Sequence, residues 1–218
     1  MSMKNLFYKE FKLCLSVQTL VFVCLSALIG IPNWPSLVPF IYPIAGFATI
    51  FPIALSNHDL LYTGILPTKK SDVVLGKVLL VGALELISIL ISIPFAIVRR
   101  CFYQDAGFSD LGINAALYGI VLFAYGLFNI IFFPWNYRKP DAKNTCCFLV
   151  STLVTAFFLA GVTCFFIANP NACEFINQYT GAGLFAQLGI LAFGIVAFVL
   201  LSFAAYKAAS KQFEKVNL

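Results

Sequence analysis

One acidic residue, Glu85, lies near the centre of a long apolar run, where an ionisable side chain is costly and usually functional. Gly82, Ser88 and Ser92 lie at spacings of three, three and seven residues from it, so all four share one face of a helix. Such a face is too polar for lipid. It predicts either hydrogen bonding between helices or a polar pathway through the membrane, and the sequence leaves both open.

Residue types suited to catalysis are otherwise scarce. The single histidine, His58, neighbours Asp59, but no further metal ligand or nucleophile accompanies the pair, so we expect polar-loop hydrogen bonding there. The chain has no GxxxxGK[ST] phosphate loop, and we expect neither ATP hydrolysis on this chain nor a bound cofactor or metal. An intramembrane enzyme built on Glu85 is disfavoured, because no nucleophile motif accompanies that carboxyl.

The composition is that of a membrane protein. Of 218 residues, 61% are hydrophobic and 11% are charged, whereas a soluble domain carries about 25% charged residues. The net charge of +5 is explained by basic cytoplasmic loops and does not require a nucleic-acid partner. No stretch has the composition of a separate soluble domain, so we expect a single transmembrane domain over residues 1–218.

Six continuous apolar runs predict six transmembrane helices, because a spanning helix needs roughly 20 apolar residues. The runs cover residues 13–31, 36–57, 73–98, 111–133, 146–168 and 183–206. Residues 3–12 place Leu6, Phe7 and Phe11 near helical spacing among lysines that can extend to the headgroups, which predicts an interfacial amphipathic helix. The predicted fold class is therefore an all-α integral membrane protein.

The basic residues predict the orientation. With the N-terminus in the cytoplasm, twelve of the fourteen basic residues fall on the cytoplasmic side, and only Arg99 and Arg100 fall outside. Both termini are therefore expected in the cytoplasm, with the protein in the plasma membrane. The twelve are Lys4, Lys9, Lys12, Lys69, Lys70, Lys77, Arg138, Lys139, Lys143, Lys207, Lys211 and Lys215.

Two further features concern the second span and the outer side. Pro43, Gly46 and Pro52 fall within the second span and predict a kink or local unwinding. Cys101 and Cys173 both fall on the predicted outer side, and the sequence leaves open whether they form a disulfide. The outer loop at 169–183 carries Phe175 and Ile176, so we expect it to dip into the membrane face.

The segment between the second and third spans, NHDLLYTGILPTKKSDVVLGKVL, resembles the corresponding loop of ABC-2 type transporter permeases. In that family an acidic residue, a short apolar helix and a Leu-Pro with basic residues precede a Gly-Lys that opens the next span. The matching residues here are Asp59, Leu66, Pro67, Lys69, Lys70, Ser71, Asp72, Gly76 and Lys77. The six spans and the amphipathic N-terminal helix are also similar to the family's type V exporter-like transmembrane domain.

The resemblance implies a permease that pairs with a second copy, as a homodimer, and binds separate ATP-binding subunits that hold ATP and magnesium. The segment would be an ATPase-coupling loop that docks in a groove of the ATPase. Small permeases of this kind are similar to exporters of amphipathic or antimicrobial peptides, including phenol-soluble modulins, in the bacterial cytoplasmic membrane. The coupling residues would be Asp59, Leu60, Leu61, Tyr62, Ile65, Leu66, Pro67, Lys69 and Lys70.

The alternative function is a substrate-binding S-component of an energy-coupling-factor vitamin importer, which is also a six-span protein of about this size. Such proteins favour small residues on the docking surface of the first span. The first span here is bulky through its middle, LSVQTLVFVCL, which argues against that alternative. A small vitamin bound tightly to the purified protein would favour it.

Overall fold

The computed structural model describes residues 3–57, 69–103, 111–138 and 144–216. Within these ranges the chain is helical and contains no strand. Five helical segments are long and apolar enough to cross a membrane, or six if a bent pair near the N-terminus counts as one span. This indicates a multi-pass membrane protein and confirms the all-helical class. The α-helices are α1 Met3–Cys14, α2 Val17–Cys24, α3 Ile41–Phe47, α4 Ile50–Ser56, α5 Lys70–Tyr103, α6 Ala115–Asn136, α7 Thr145–Ala168, α8 Pro170–Asn177 and α9 Gly181–Glu214.

Helix α1 and the first span meet at a sharp bend. The bent pair Tyr8–Cys14 and Val17–Gly30 meets at 95°, as expected for an interfacial helix that leads into a span. The prediction of one span over 13–31 was wrong at its start. Ser16 ends the continuity because its side chain accepts a hydrogen bond from the Thr19 backbone N–H at 3.1 Å and caps α2. After α2, a 3₁₀-helix over Leu25–Gly30 completes the segment.

The second span is broken, as its prolines predicted. It consists of a 3₁₀ turn over Val38–Phe40 followed by α3 and α4, with a break at residues 48 and 49. Pro43 and Pro52 each lie in the first turns of a new helix, where the missing N–H has no intrahelical partner to lose. At the break, the Thr49 hydroxyl lies 2.6 Å from the Thr19 hydroxyl of α2, so the irregular backbone packs against protein.

Helices α5 and α9 are longer than the apolar runs that predicted them. Each has 34 residues and is therefore about 50 Å long at 1.5 Å per residue, which exceeds the roughly 30 Å hydrocarbon core. Arg99 belongs to the last turns of α5 and not to a loop. Its guanidinium donates to the carbonyls of Ile29 and Trp34 at 3.2 Å each, which ties the end of α5 to the connection after the first span.

Helix α6 is the centre of the bundle. In the most apolar stretch of α6, 67% is buried inside the protein, whereas the corresponding shares are 22% for α7 and 11% for α9. Helix α6 is therefore surrounded by protein, while α7 and α9 are peripheral. Helices α6 and α9 approach most closely at Gly119 and Gly194. A Cβ atom added at Gly194 would come within 2.6 Å of the Gly119 Cα, so only glycine fits at this crossing.

The loop before α9 is folded onto the end of the bundle opposite the termini. It contains the short helix α8, whose Asn177 side-chain oxygen accepts from the Gly112 N–H and the Asn114 amide at 2.9 Å each. Gln187 of α9 donates to the Ile176 carbonyl at 2.6 Å. All seven cysteines lie in the described ranges and none forms a disulfide, so the structure does not join Cys101 to Cys173.

Candidate functional site

The polar face predicted on α5 points into the bundle. Glu85, Ser88 and Ser92 are all fully buried. On the opposite side of the same helix, Leu86 and Leu90 are exposed by 46% and 64%, as expected of a surface that contacts lipid. The three polar side chains therefore lie in a helix interface.

Glu85 meets an amide from α6. The Asn129 Nδ2 atom donates to Glu85 Oε2 at 3.0 Å and to Ser202 Oγ of α9 at 3.3 Å. Both Glu85 and Asn129 are fully buried. One carboxyl, one amide and one hydroxyl thus join three helices in the interior of the bundle, and we call Glu85, Asn129 and Ser202 the polar cluster.

A second hydrogen-bonded pair extends the polar cluster along α5. The Ser88 hydroxyl donates to the Glu85 backbone carbonyl at 2.7 Å, so its oxygen accepts the phenol hydrogen of Tyr125 at 2.8 Å. Ser92 donates to the Ile89 carbonyl of its own helix at 2.7 Å. Ser92 therefore uses its hydroxyl hydrogen within its own helix.

The sequence singled out Glu85 but not its partners. Asn129 lies within the predicted fourth span, where an amide is a usual interhelical hydrogen-bond donor, and this was the signal that could have found it. Tyr125 and Asn129 are four residues apart and so share the α6 face that α5 covers. No sequence pattern pairs that face with Glu85.

The polar cluster contributes one carboxyl, one amide and one hydroxyl group. No group of three or more metal-binding side chains occurs in the described part of the chain. Of the predicted loop residues, His58 and Asp59 lie outside the described residues. Within the ranges described, no basic side chain forms an ion pair with Glu85.

Most of the predicted coupling loop also lies outside the described residues, and its two lysines lie inside them. The residues outside are Asp59, Leu60, Leu61, Tyr62, Ile65, Leu66 and Pro67. Lys69 is exposed. Lys70 begins α5, and its ammonium donates to the Val216 carbonyl at 2.6 Å and lies 5.9 Å from the centre of the Phe213 ring. The start of α5 is therefore attached to the end of α9.

A buried ion pair joins α1 to α5 at the same end of the bundle. Lys77 Nζ lies 2.6 Å from Glu10 Oε2, and the two residues are 4% and 0% exposed. Lys9 lies 3.1 Å from Glu10 Oε1 and is also buried. The expectation that its side chain extends to the headgroups was therefore wrong. The Cys14 thiol donates to the same carboxylate at 3.2 Å. Glu10 and Lys77 are far apart in sequence, and no local pattern paired them.

An apolar groove lies between α6, α7 and α9, toward the end of the bundle that carries α8. It has a volume of about 600 Å³ and is lined by phenyl rings, including Phe123, Phe157 and Phe193, with Gly119 and Gly161 between them. No polar side chain lines it among the described residues. In a membrane, such a groove contacts hydrocarbon and not water.

The chain was compared with known families, curated proteins and solved structures, and nothing matches it in any of the three.

Proposed function

We propose that the chain is the transmembrane permease subunit of an ATP-driven exporter of the ABC-2 type in the cytoplasmic membrane of a bacterium. A separate subunit hydrolyses ATP, and two copies of the permease form the pore. The substrate proposed is an amphipathic peptide, such as an antimicrobial peptide, or another hydrophobic molecule. The phenyl-lined groove within the membrane supports an apolar substrate, and the resemblance of the loop supports the class.

The observation that carries the proposal is how the described residues on either side of residues 58–68 are bonded to other helices. Before them, the Asn57 amide donates to the Leu13 carbonyl of α1 at 2.8 Å. After them, Lys70 is bonded to the end of α9 and Lys77 to Glu10 of α1. A force applied to this segment would reach α1, α4, α5 and α9 together. An ATPase-coupling element requires such attachments, because it must convert a push at one loop into movement of several spans.

The proposed orientation can be tested with two exposed thiols at opposite ends of the bundle. Cys101 lies near the end of α5, and Cys146 lies in the first turn of α7. In variants that keep only one cysteine, we expect a membrane-impermeant maleimide applied to intact cells to label Cys101. Cys146 should react only after the membrane is permeabilised. The reverse pattern would contradict cytoplasmic termini.

The proposed coupling loop predicts a specific functional defect. A double substitution, Leu61→Asp with Ile65→Asp, replaces the apolar side chains that would fill the ATPase groove with charges that must be desolvated there. We expect the tagged wild-type permease to copurify with a soluble ATPase at equal stoichiometry. The double variant should lose the ATPase and its transport activity, while its thermal stability in detergent stays close to that of the wild type.

The control for this experiment is Lys211→Asp, which places a negative charge at an exposed position in the last turn of α9, outside the loop. It should retain the ATPase. A double variant that keeps normal ATP-coupled transport would refute the coupling assignment. A wild-type protein that purifies without an ATPase but with a bound small molecule would refute the exporter proposal and favour a substrate-capturing component.

A further inference from the structure

Two fully buried oxygen atoms in the polar cluster have no hydrogen-bond partner among the described residues. They are Glu85 Oε1 and Asn129 Oδ1. Their side chains are already joined at their other ends, since Asn129 Nδ2 donates to Glu85 Oε2 at 3.0 Å. An amide oxygen and a carboxylate oxygen are both acceptors. The polar cluster thus contains two unpaired acceptor atoms and no donor for either of them.

The deficit remains if the amide is turned over. That orientation would exchange the two amide atoms and place Asn129 Oδ1 against Glu85 Oε2, so an oxygen–oxygen contact without a hydrogen would still remain. Leaving a buried acceptor unpaired destabilises the folded state, and leaving a buried carboxylate unpaired does so more strongly. The arrangement needs a hydrogen that neither side chain supplies when Glu85 is ionised.

No neighbouring charge compensates a carboxylate at this position among the described residues. The groups that face Glu85 from α6 are the Asn129 amide and the Tyr125 phenol, which bonds Ser88. The group from α9 is the Ser202 hydroxyl, which bonds Asn129. All three are uncharged. Lys77 lies two turns away on α5 and is held by Glu10. Arg99 lies about four turns away in the other direction and binds backbone carbonyls. A charged Glu85 would be a lone buried anion, which a membrane interior tolerates poorly.

We propose that Glu85 and Asn129 form a proton-binding site inside the bundle. A proton taken up from water forms an O–H bond at Glu85 Oε1 and cancels the charge of the carboxylate. This hydroxyl then donates to Asn129 Oδ1 while Asn129 Nδ2 donates to Glu85 Oε2. One hydrogen satisfies both unpaired acceptors and closes a cyclic acid–amide pair between α5 and α6. The proton site does not depend on the transport function proposed above.

The test is infrared spectroscopy of the purified full-length protein near neutral pH, in a maltoside detergent that contains no ester carbonyl. The buffer contains choline in place of sodium. A protonated carboxyl gives a C=O stretching band above the amide I band, and this band shifts in D₂O. We expect a band of about one carboxyl per chain in the wild type. It should be lost in Glu85→Gln and retained in Glu174→Gln, a matched change at an exposed acid.

Two outcomes would overturn the proposal. The first is the absence of the band in the wild type, and the second is a band that survives Glu85→Gln. A wild type without the band whose melting temperature rises when sodium replaces choline would identify a sodium ion at these oxygens in place of a proton.

Stability gives an independent measurement. The Glu85→Gln side chain supplies a donor and an acceptor in the same places as a protonated carboxyl, so its melting temperature should stay close to that of the wild type. Glu85→Leu should melt lower, because it leaves Asn129 without its hydrogen bond to α5. If Glu85→Gln yields no folded protein, the band can be assigned in Glu174→Gln/Glu214→Gln protein with ¹³C-labelled glutamate. There, only Glu85 and the ion-paired Glu10 remain labelled, and a band that does not shift would contradict the proposal.

Discussion

Gly194→Leu is expected to prevent α6 and α9 from packing and to leave little folded protein. A side chain at position 194 would collide with the backbone of Gly119, whose Cα lies 2.6 Å from the place of the new Cβ. Overpacking a core typically costs about 1 to 3 kcal/mol, and the cost here should reach the upper end or exceed it because backbone cannot move aside as a side chain can. The measurement is the yield of monodisperse protein and its melting temperature.

Gly189→Leu is the matched control for this prediction. It makes the same substitution on the same helix, at a glycine where a Cβ would meet no atom within 4 Å. We expect it to fold like the wild type. Equal behaviour of the two variants would mean that the α6–α9 crossing at Gly119 and Gly194 does not determine stability.

Lys77→Met is expected to destabilise the protein by about 3 to 5 kcal/mol, because it leaves the fully buried Glu10 without its closest cation. Lys9 still lies near the other carboxylate oxygen at 3.1 Å, which places the loss nearer the lower value. The variant should melt well below the wild type, and α1 should become accessible to protease because the ion pair attaches it to α5.

A double substitution tests whether the unpaired charge of Glu10 causes the loss of stability in Lys77→Met. Glu10→Leu combined with Lys77→Met removes both charges of this pair, so part of the lost stability should return. The return should be partial, because the buried Lys9 also loses its 3.1 Å contact with Glu10. Lys211→Met, at an exposed lysine, should change stability by about 0.5 kcal/mol or less. A double variant as unstable as Lys77→Met alone would show that the buried charge is not the cause.

The broad architecture could be predicted because hydropathy is a local property. Each predicted span contains a helix, and the break in the second span follows from Pro43, Gly46 and Pro52. The ends of α5 and α9 could not be predicted in this way. A helix continues as long as its backbone hydrogen bonds do, whether or not its side chains are apolar, so Arg99 and Lys207 are helical beyond the apolar runs.

The candidate site was only half predictable. A single acid in an apolar run identifies Glu85 as unusual, and the helical period identifies Ser88 and Ser92 as its face. The partners on α6 and α9 depend on which helices are neighbours and at what height they cross. That is set by packing, including the close approach of Gly119 to Gly194, and not by any short stretch of sequence.

The sequence by itself determined an all-helical chain with several helices apolar enough to span a membrane and one ionisable side chain, Glu85, within such a run, because composition and periodicity are sufficient for these properties. Only the tertiary structure decided that Glu85 pairs with Asn129 and Glu10 with Lys77. These pairs join residues 44 and 67 positions apart. Contacts over such separations exist only once the helices have packed.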